Sequence, residues 1–438
     1  MTGWGGKIAW AMLDWADAPF TTLIITFVFP AYFEMAIVGD RVRGQTLWGY
    51  TIALSAVLVA LLGPPLGAIA DAGGQRKPWI FVFGSFCILG SGLLWFAEPS
   101  KTAITWAVAC VVTANVGFEL TIMFGNAMLP NIAPRDQLGR FSGWAWGLGY
   151  LGGLAALSLT LIVFIGPEKP ALGLDRGQAE QVRVVGPLVA LWFGLFAWPL
   201  FVFTPDRHSR GLSMMAAMVQ GMGSLRATVA TLARRRNIAR FLASHMIYMD
   251  GLATLFAFGG IYAAGTFGMG VSEVVQFGIA LNVAAGLGAF SFAWVDDWIG
   301  PRHTITLALA GLIAASIAAV LAPNRVWLWS AGCALGIFVG PVQASSRSLM
   351  ARLAPTDQEA EFFGLFALSR KLTNFIGPTV VAAMTAATGS QRAGMAMLIG
   401  LFVAGLGLFL TVHDPMMSLQ HSTGSVKGPS SSRPRRSG

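Results

Sequence analysis

The sequence predicts an all-α integral membrane protein with twelve transmembrane helices in two pseudo-symmetric six-helix bundles. Hydrophobic residues fill 55% of the 438 positions. Charged residues fill only 11%, whereas soluble domains carry about 25%. Apolar runs recur along the chain at lengths close to the roughly 20 residues that cross a bilayer as a helix. Two motifs also occur once in each half, which indicates a duplicated unit.

Twelve apolar runs are long enough to span a membrane, and a polar segment divides them six and six. The first six lie near residues 8–36, 47–70, 78–97, 102–129, 138–166 and 184–204. The last six lie near residues 238–268, 272–296, 303–322, 326–350, 360–388 and 393–412. We therefore predict an N-terminal bundle over 1–204, a cytoplasmic linker over 205–237, a C-terminal bundle over 238–412 and a disordered cytoplasmic tail over 413–438.

The distribution of cations predicts the orientation. With both termini in the cytoplasm, nineteen of the 29 Lys and Arg residues fall in cytoplasmic segments and eight in external loops. This asymmetry follows the positive-inside rule. The net charge of +9 is therefore explained by topology, and no nucleic-acid partner is expected.

Two pairs of stretches repeat across the halves. LPNIAPRDQLGRFSG (129–143) aligns with MARLAPTDQEAEFFG (350–364) at a shift of 221. GAIADAGGQRK (67–77) aligns with AWVDDWIGPRH (293–303) at a shift of 226. Both pairs fall in predicted cytoplasmic loops, and their nearly equal shifts imply a duplicated six-helix unit, as in transporters built from structural repeats.

The first copy of the shorter repeat carries the family resemblance. Residues 67–77 closely match the G-x-x-x-D-x-x-G-R-R-K signature that lies between spans two and three of the major facilitator superfamily. Four further stretches resemble the vacuolar amino-acid effluxer family named for autophagy and its bacterial relatives: LDWADAPF (13–20), NAMLPNIA (126–133), GRFSGWAWGLGYLGG (139–153) and GPVQASSRSLMARLAP (340–355). The resemblance implies the major facilitator fold and transport of a small polar solute, amino-acid-like in that family.

The loop motifs predict a cytoplasmic gate. A carboxylate at a helix end can tie one bundle to the other through charge-assisted hydrogen bonds. Asp71 is expected to do this in the first half, with Arg140 as its partner, and Asp297 in the second. The second half departs from the motif, since Ala293 replaces the expected glycine, and Asp296 is an alternative to Asp297. The motif cations Arg76, Lys77 and Arg302 could instead only set topology. The candidate gating residues are Gly67, Asp71, Gly74, Arg76, Lys77, Arg140, Asp297, Gly300, Arg302 and Arg347.

Two acids interrupt the first apolar run. An ionisable residue inside a span costs roughly 2.5–3.5 kcal/mol, so it usually faces a cavity or a partner. At 1.5 Å per residue, Asp17 is predicted about 14 Å into the helix, near the midplane, with Asp14 on the same face. Pro19 can open the helix there. Asp14 could alternatively be an interfacial or capping residue.

The fourth run carries a polar stripe. Asn115, Glu119 and Asn126 are spaced so that they share one helical face. Glu119 lies deep in its span, which favours a role in substrate binding or proton exchange. The candidate residues for substrate binding or proton coupling are Asp17, Asp14, Asn115, Glu119, Asn126, His245, Asp250, Gln343, Arg370 and Lys371.

The second half contributes mainly cations to this set. Arg370 and Lys371 lie in the eleventh run, and Asp250 in the seventh roughly matches Asp17. Acids in one half and cations in the other would complement a zwitterion. Alternatively, the two cations could snorkel toward the cytoplasm and His245 could be a packed polar residue. Many proton-driven antiporters of the superfamily carry an arginine in span four, and this chain has none there, so the direction of coupling stays open.

The expected partners are a small solute, protons and the lipid bilayer, and the expected form is a monomer in a bacterial inner membrane. No cofactor or metal site is expected, because the three cysteines lie far apart in apolar runs. An enzyme is disfavoured, since the chain lacks H-E-x-x-H and G-x-S-x-G. Efflux of drugs or other metabolites and a non-transporting sensor or assembly factor remain alternatives.

Overall fold

The structure is a computed structural model that describes residues 3–413 except 233, 270, 374 and 375. Within these residues the secondary structure is helical and contains no strand. From residue 414 onward, the tail that the sequence predicts as disordered lies outside the described residues.

Fourteen labelled helices cover most of the described chain. The first six are α1 (Trp4–Val38), α2 (Arg41–Gly73), α3 (Lys77–Leu93), α4 (Ile104–Ile132), α5 (Leu138–Leu159) and α6 (Val185–Phe203). The next four are α7 (Met214–Leu232), α8 (Arg236–Phe267), α9 (Val271–Ile299) and α10 (Pro301–Val320). The last four are α11 (Arg325–Leu353), α12 (Glu359–Leu372), α13 (Ile376–Thr388) and α14 (Gln391–Phe409). Short helical turns lie at Leu94–Phe96, Lys101–Ala103, Arg135–Gln137, Ala171–Gly173 and Glu180–Arg183, and α5 continues as a π-helix over Thr160–Ile165.

The predicted all-α membrane fold is confirmed. Eleven helices among the described residues are long and apolar enough to cross a bilayer. The eleventh predicted run, 360–388, is divided between α12 and α13. Its second part begins with Gly377 and Pro378 in the first turn, where a proline is tolerated but disfavours continuation from the preceding helix.

α1 changes its winding at Pro19, as the sequence suggested. It is an α-helix over Trp4–Pro19 and a π-helix over Phe20–Phe27. Proline has no N–H, so the carbonyl of Trp15 loses its helical donor. The indole Nε1 of Trp192 in α6 donates to this carbonyl instead, at 3.2 Å. The π-helical segment begins directly after the proline.

The linker contains a helix that the sequence analysis did not predict. α7 occupies the middle of the segment 205–237, where Met, Ala and Leu favour helix and proline is absent. Its small residues Ala217 and Gly221 pack closely on Ala68 and Ile69 of α2. Because the linker cations lie mainly outside this stretch, α7 presents methionine and valine side chains on its exposed face.

The first six spans pack against the last six through several helix pairs. α2 packs on α12, and α5 packs on both α9 and α11. Gly63 and Gly364 face each other so closely that a Cβ on Gly364 would lie 2.9 Å from the Gly63 backbone. We call the end of the molecule that holds Asp71 and Asp297 the motif end.

Candidate functional site

At the motif end, α2 and α12 are joined by a buried charge network. Arg76 Nη2 lies 2.9 Å from both Asp71 Oδ1 and Glu359 Oε2. Asp71 Oδ2 also accepts a hydrogen bond from the backbone N–H of Glu361, at 2.8 Å. Both carboxylates and the guanidinium are almost fully buried. Asp71 therefore binds α12, not Arg140, the partner expected from the sequence.

α5 and α9 form the second junction. Arg140 Nε lies 3.2 Å from Asp297 Oδ2, and the backbone N–H of Arg140 donates to Asp297 Oδ1 at 3.1 Å. Asp296, the alternative in the sequence analysis, instead pairs with the second-half residues Ser348 and Arg352. Asp297 is thus the aspartate that bonds to the first half.

The two junctions are related by the sequence repeat. Arg140 and Glu361 are equivalent at the shift of 221, and Asp71 and Asp297 at the shift of 226. In both junctions an aspartate at the end of one helix accepts a backbone N–H from the first turn of a helix in the other half. Helix N-termini stabilise negative charge, so each contact combines a hydrogen bond with a favourable dipole interaction.

The motif glycines are required by the backbone. A Cβ on Gly67 would collide with the Ala360 carbonyl of α12. Gly74 follows the end of α2 with a φ of 92°, and Gly300 precedes α10 with a φ of 85°. Glycine adopts this region without strain. The backbone conformation therefore explains why glycine occurs at the equivalent positions 74 and 300.

Two motif cations bind within their own half. Lys77 Nζ donates to the Phe201 carbonyl, and Arg302 Nη2 donates to the Leu410 carbonyl. These contacts fix the loops to neighbouring helix ends. A role in setting the topology of the chain therefore fits these two cations better than a role across the interface.

Arg347 lies inside the molecule and binds all three of its polar partners on first-half helices. Its Nη1 lies 2.8 Å from Asp14 Oδ2 and 3.1 Å from Asn126 Oδ1. Nε and Nη2 donate to the hydroxyl and carbonyl of Ser142. The guanidinium also lies over the rings of Trp10 and Trp146. The sequence analysis placed Arg347 with the gating residues, and in the structure it forms a cluster with Asp14 between the two halves.

A second ion pair lies deeper. Arg370 Nη2 of α12 is 2.5 Å from Glu119 Oε2 of α4. Asp17 is buried beside this pair and interacts electrostatically with Asp14, Glu119 and Arg347. Among the described residues the side-chain carboxyl of Asp17 has no hydrogen-bonding partner.

The two pairs occupy successive depths. Arg347 precedes the end of α11 by six residues, which corresponds to about 9 Å along the helix. Glu119 precedes the end of α4 by 13 residues, or about 20 Å. Each pair joins a carboxylate of the first six spans to an arginine of the last six. Separating the two halves would therefore break both pairs.

Two further amides lie near this cluster. Gln343 Nε2 donates to the Tyr150 hydroxyl at 3.0 Å, which links α11 to α5. Asn115 is buried in α4, one turn from Glu119. Two residues of the polar stripe predicted on α4 contact different arginines: Asn126 bonds to Arg347, and Glu119 pairs with Arg370.

Two candidate residues lie in other contacts of the second half. His245 Nδ1 is 2.9 Å from Ser369 Oγ, and its ring stacks on Phe366. Asp250 Oδ2 accepts the N–H of Gly377 in the first turn of α13. No described ion pair joins either residue to the Asp14 and Glu119 pairs. The side chain of Lys371 lies outside the described residues.

Sequence reasoning missed several participants. Glu359 and Glu361 were not singled out, although the repeat aligns position 361 with Arg140. Ser142 and Trp10 contact Arg347. No sequence signal identifies these two residues, because their role depends on how α1 and α5 pack against α11.

The fold and these paired inter-half contacts define a class of membrane transporter. FucP, a major facilitator superfamily transporter solved in the outward conformation, superposes with a TM-score of 0.75 at 14% identity, over 93% of this chain and 98% of that one. The human organic anion transporter MFSD10 superposes with a TM-score of 0.72 at 14% identity, over 92% of this chain and 99% of that one. The chain has the major facilitator fold, and the sequence relatives described next show that it is an integral membrane transporter of that superfamily.

The family can be stated more narrowly. Residues 35–416 match the family described as "Vacuole effluxer Atg22 like", and the chain belongs to it. An uncharacterized MFS-type transporter of Bacillus subtilis, YxiO, is 26% identical over 93% of this chain and 94% of that protein. Autophagy-related protein 22-1 of Penicillium rubens is 25% identical over 62% of this chain, and the match spans 49% of the fungal protein. These relatives and neighbours are transporters, not enzymes.

Proposed function

We propose that the protein is a secondary active transporter of a small zwitterionic solute, amino-acid-like, working by alternating access. The observation that carries this proposal is the arrangement of the ion pairs. Asp14 and Glu119 on the first six spans bind Arg347 and Arg370 on the last six. A solute with an ammonium and a carboxylate can replace one partner of each pair with a group of the same charge.

Solute binding would thereby permit the halves to separate. Breaking a buried ion pair without replacement is strongly unfavourable, because it leaves an unpaired charge in a low-dielectric interior. A zwitterion bound between the halves keeps the carboxylate and the guanidinium paired. The motif-end junctions, through Arg76–Glu359 and Arg140–Asp297, would act as the gate on that side.

Proton coupling is part of the proposal and rests on Asp17. Three carboxyls, Asp14, Asp17 and Glu119, lie close together. The described cations that pair with them are Arg347 and Arg370. Excess negative charge inside a membrane is unfavourable, and a proton on Asp17 would remove it.

The charge distribution supports a location and an orientation. Lys and Arg residues concentrate in the loops of the motif end, which by the positive-inside rule faces the cytoplasm. We therefore propose a bacterial inner membrane, with both termini cytoplasmic. Residues 1–204 and 238–412 would be the two moving bundles, and 205–237 the linker.

An organic anion is a second candidate solute. Two arginines line the inter-half cluster, and the structural neighbour MFSD10 is described as an organic anion transporter. An anion would pair with either guanidinium but would leave the carboxylates without a replacement cation.

Flux into proteoliposomes tests the transport proposal. Radiolabelled amino acids, dicarboxylates and sugars are tested in turn as solutes. We expect amino-acid flux that is lost in Asp17→Asn and in Glu119→Gln. Glu273→Gln, which removes an acid from an exposed ion pair with Arg325, is the matched control and should retain flux. Wild-type rates in both site variants would refute the proposed site.

Ligand-induced thermal stabilisation separates the two solute classes. Each amino acid is compared with the corresponding carboxylate that lacks the amine. Stabilisation by the zwitterion alone supports the first candidate, whereas equal stabilisation by both compounds favours an organic anion.

A further inference from the structure

A basic cavity of about 490 Å³ lies at the motif end, where the linker meets both halves. Its walls come from the turn that precedes α5, the start of α8 and the connection that follows α11. All of its charged lining residues are arginines. They are Arg135, Arg235, Arg236 and Arg352. The cavity is separate from the ion pairs assigned above to solute binding.

These arginines are incompletely neutralised. Arg135 and Arg236 are exposed and have no carboxylate partner among the described residues. Arg352 is buried; its Nη2 lies 3.4 Å from Asp296, while its Nε has no hydrogen-bonding partner. The Arg235 guanidinium lies over the ring of Phe362. Among the described residues, Asp296 is the carboxylate within ion-pair distance of these four arginines, and the buried Arg352 Nε remains unsatisfied.

A helix N-terminus adds to the positive potential. α8 has 32 residues and begins at Arg236, and its N-cap residue Arg235 makes no side-chain capping bond. Arg236, Asn237 and Ile238, which form its first turn, line the cavity. The free N–H groups and dipole of a helix N-terminus favour anions.

We propose that this cavity binds a phosphate-bearing anion. A phosphate group presents several oxygens to planar guanidinium forks, and such pairs form strong, charge-assisted hydrogen bonds. A lipid headgroup and a free phosphorylated solute share this chemistry. Both would satisfy the Arg352 Nε and the first turn of α8.

Binding would also favour one conformation. The cavity is assembled from the linker and from both halves, so an anion within it holds the motif end closed. This consequence rests on the proposed alternating-access function, whereas the binding itself does not.

The test compares soluble and lipid phosphate on purified protein. Inorganic tripolyphosphate is titrated in nanodiscs of phosphatidylcholine, and thermal stability is measured in nanodiscs with and without phosphatidylglycerol. The test variant is Arg135→Gln with Arg236→Gln. The control, Arg226→Gln with Arg240→Gln, removes the same charge from exposed residues outside the cavity lining.

Either source of phosphate supports the site if the cavity variant loses the response. In the cavity variant we expect the affinity for tripolyphosphate, or the stabilisation by phosphatidylglycerol, to fall by about tenfold or more, because charge-assisted bonds are lost. In the control variant neither quantity should change much. Tripolyphosphate binding in neutral nanodiscs identifies a soluble ligand. Stabilisation only by phosphatidylglycerol identifies a headgroup.

Two results would overturn the proposal. One is a wild type that responds to neither probe, and the other is a cavity variant that responds as the wild type does. The readout is binding, so it stays informative even where the transport assay fails. The substituted arginines are exposed and unpaired, and size-exclusion chromatography verifies that the variant remains folded.

Discussion

Arg347 binds groups on three helices of the first six spans, and its guanidinium is nearly inaccessible to solvent. Asp14, Asn126 and Ser142 supply its polar contacts. Replacing it with glutamine leaves the largely buried Asp14 carboxylate without a cation. Loss of one partner of a buried ion pair costs about 3–5 kcal/mol. We expect Arg347→Gln to destabilise the protein by that amount in denaturant unfolding in detergent.

The comparison variants separate charge from packing. Asp14→Asn combined with Arg347→Gln should recover part of the loss, because no unpaired charge remains. Glu273→Gln breaks an exposed ion pair and should cost about 0–1 kcal/mol. Equal losses for Arg347→Gln and Glu273→Gln would show that the buried pair contributes no more than a surface pair.

At the scale of the element, α1 depends on a bond that α6 supplies. The Trp192 indole donates to the Trp15 carbonyl, which Pro19 deprives of its helical donor. Trp192→Phe keeps an aromatic ring but leaves this carbonyl unsatisfied, which costs about 1–3 kcal/mol. We expect that destabilisation in thermal unfolding. Adding Pro19→Ala should reverse it, because the new N–H can donate to Trp15.

Trp198→Phe is the control for this pair of variants. Trp198 lies on the same helix, and its side chain is largely exposed. We expect Trp198→Phe to leave the thermal stability nearly unchanged. A Pro19→Ala that deepens the defect of Trp192→Phe would contradict the view that the Trp192 indole replaces the helical donor of Trp15.

The helices show how far sequence patterns reach. Long apolar runs predicted the spans closely, because burying a helix in hydrocarbon requires a fixed length. α7 was missed, since its small buried face gives no strong periodic signal. The break between α12 and α13 was missed although Gly377 and Pro378 marked it.

Pairing across the halves was harder to predict than the helices themselves. The repeat identified Asp71 and Asp297, but assigned Arg140 to the wrong aspartate. The bond from Asp71 to the backbone of Glu361 involves no distinctive side chain on α12, so only the packing of α2 on α12 reveals it. The contacts of Arg347 with Asp14 and Ser142 were not predicted from the sequence for a similar reason. They depend on how α1 and α5 pack against α11.

For the whole molecule, the two junctions at the motif end hold the halves together. Asp71→Asn with Asp297→Asn removes both charges that bind helix N-termini across the interface. Hydrogen bonds to charged groups contribute about 1.5–3 kcal/mol each, and 1.4 kcal/mol is a tenfold change in population. We expect this double variant to open the motif end at least about tenfold more often.

Thiol labelling measures this opening. Ser348 is fully buried and bonds to Asp296, which packs on Gly139 at the α5–α9 junction. In a background without the three native cysteines, Ser348→Cys should react slowly with N-ethylmaleimide and much faster when both aspartates are replaced. Glu98→Gln with Glu273→Gln removes two acids from outside the junctions and should leave the rate unchanged. If labelling were equally slow in the junction variant, Asp71 and Asp297 would be structural caps that do not control access, because a buried thiol reports opening directly.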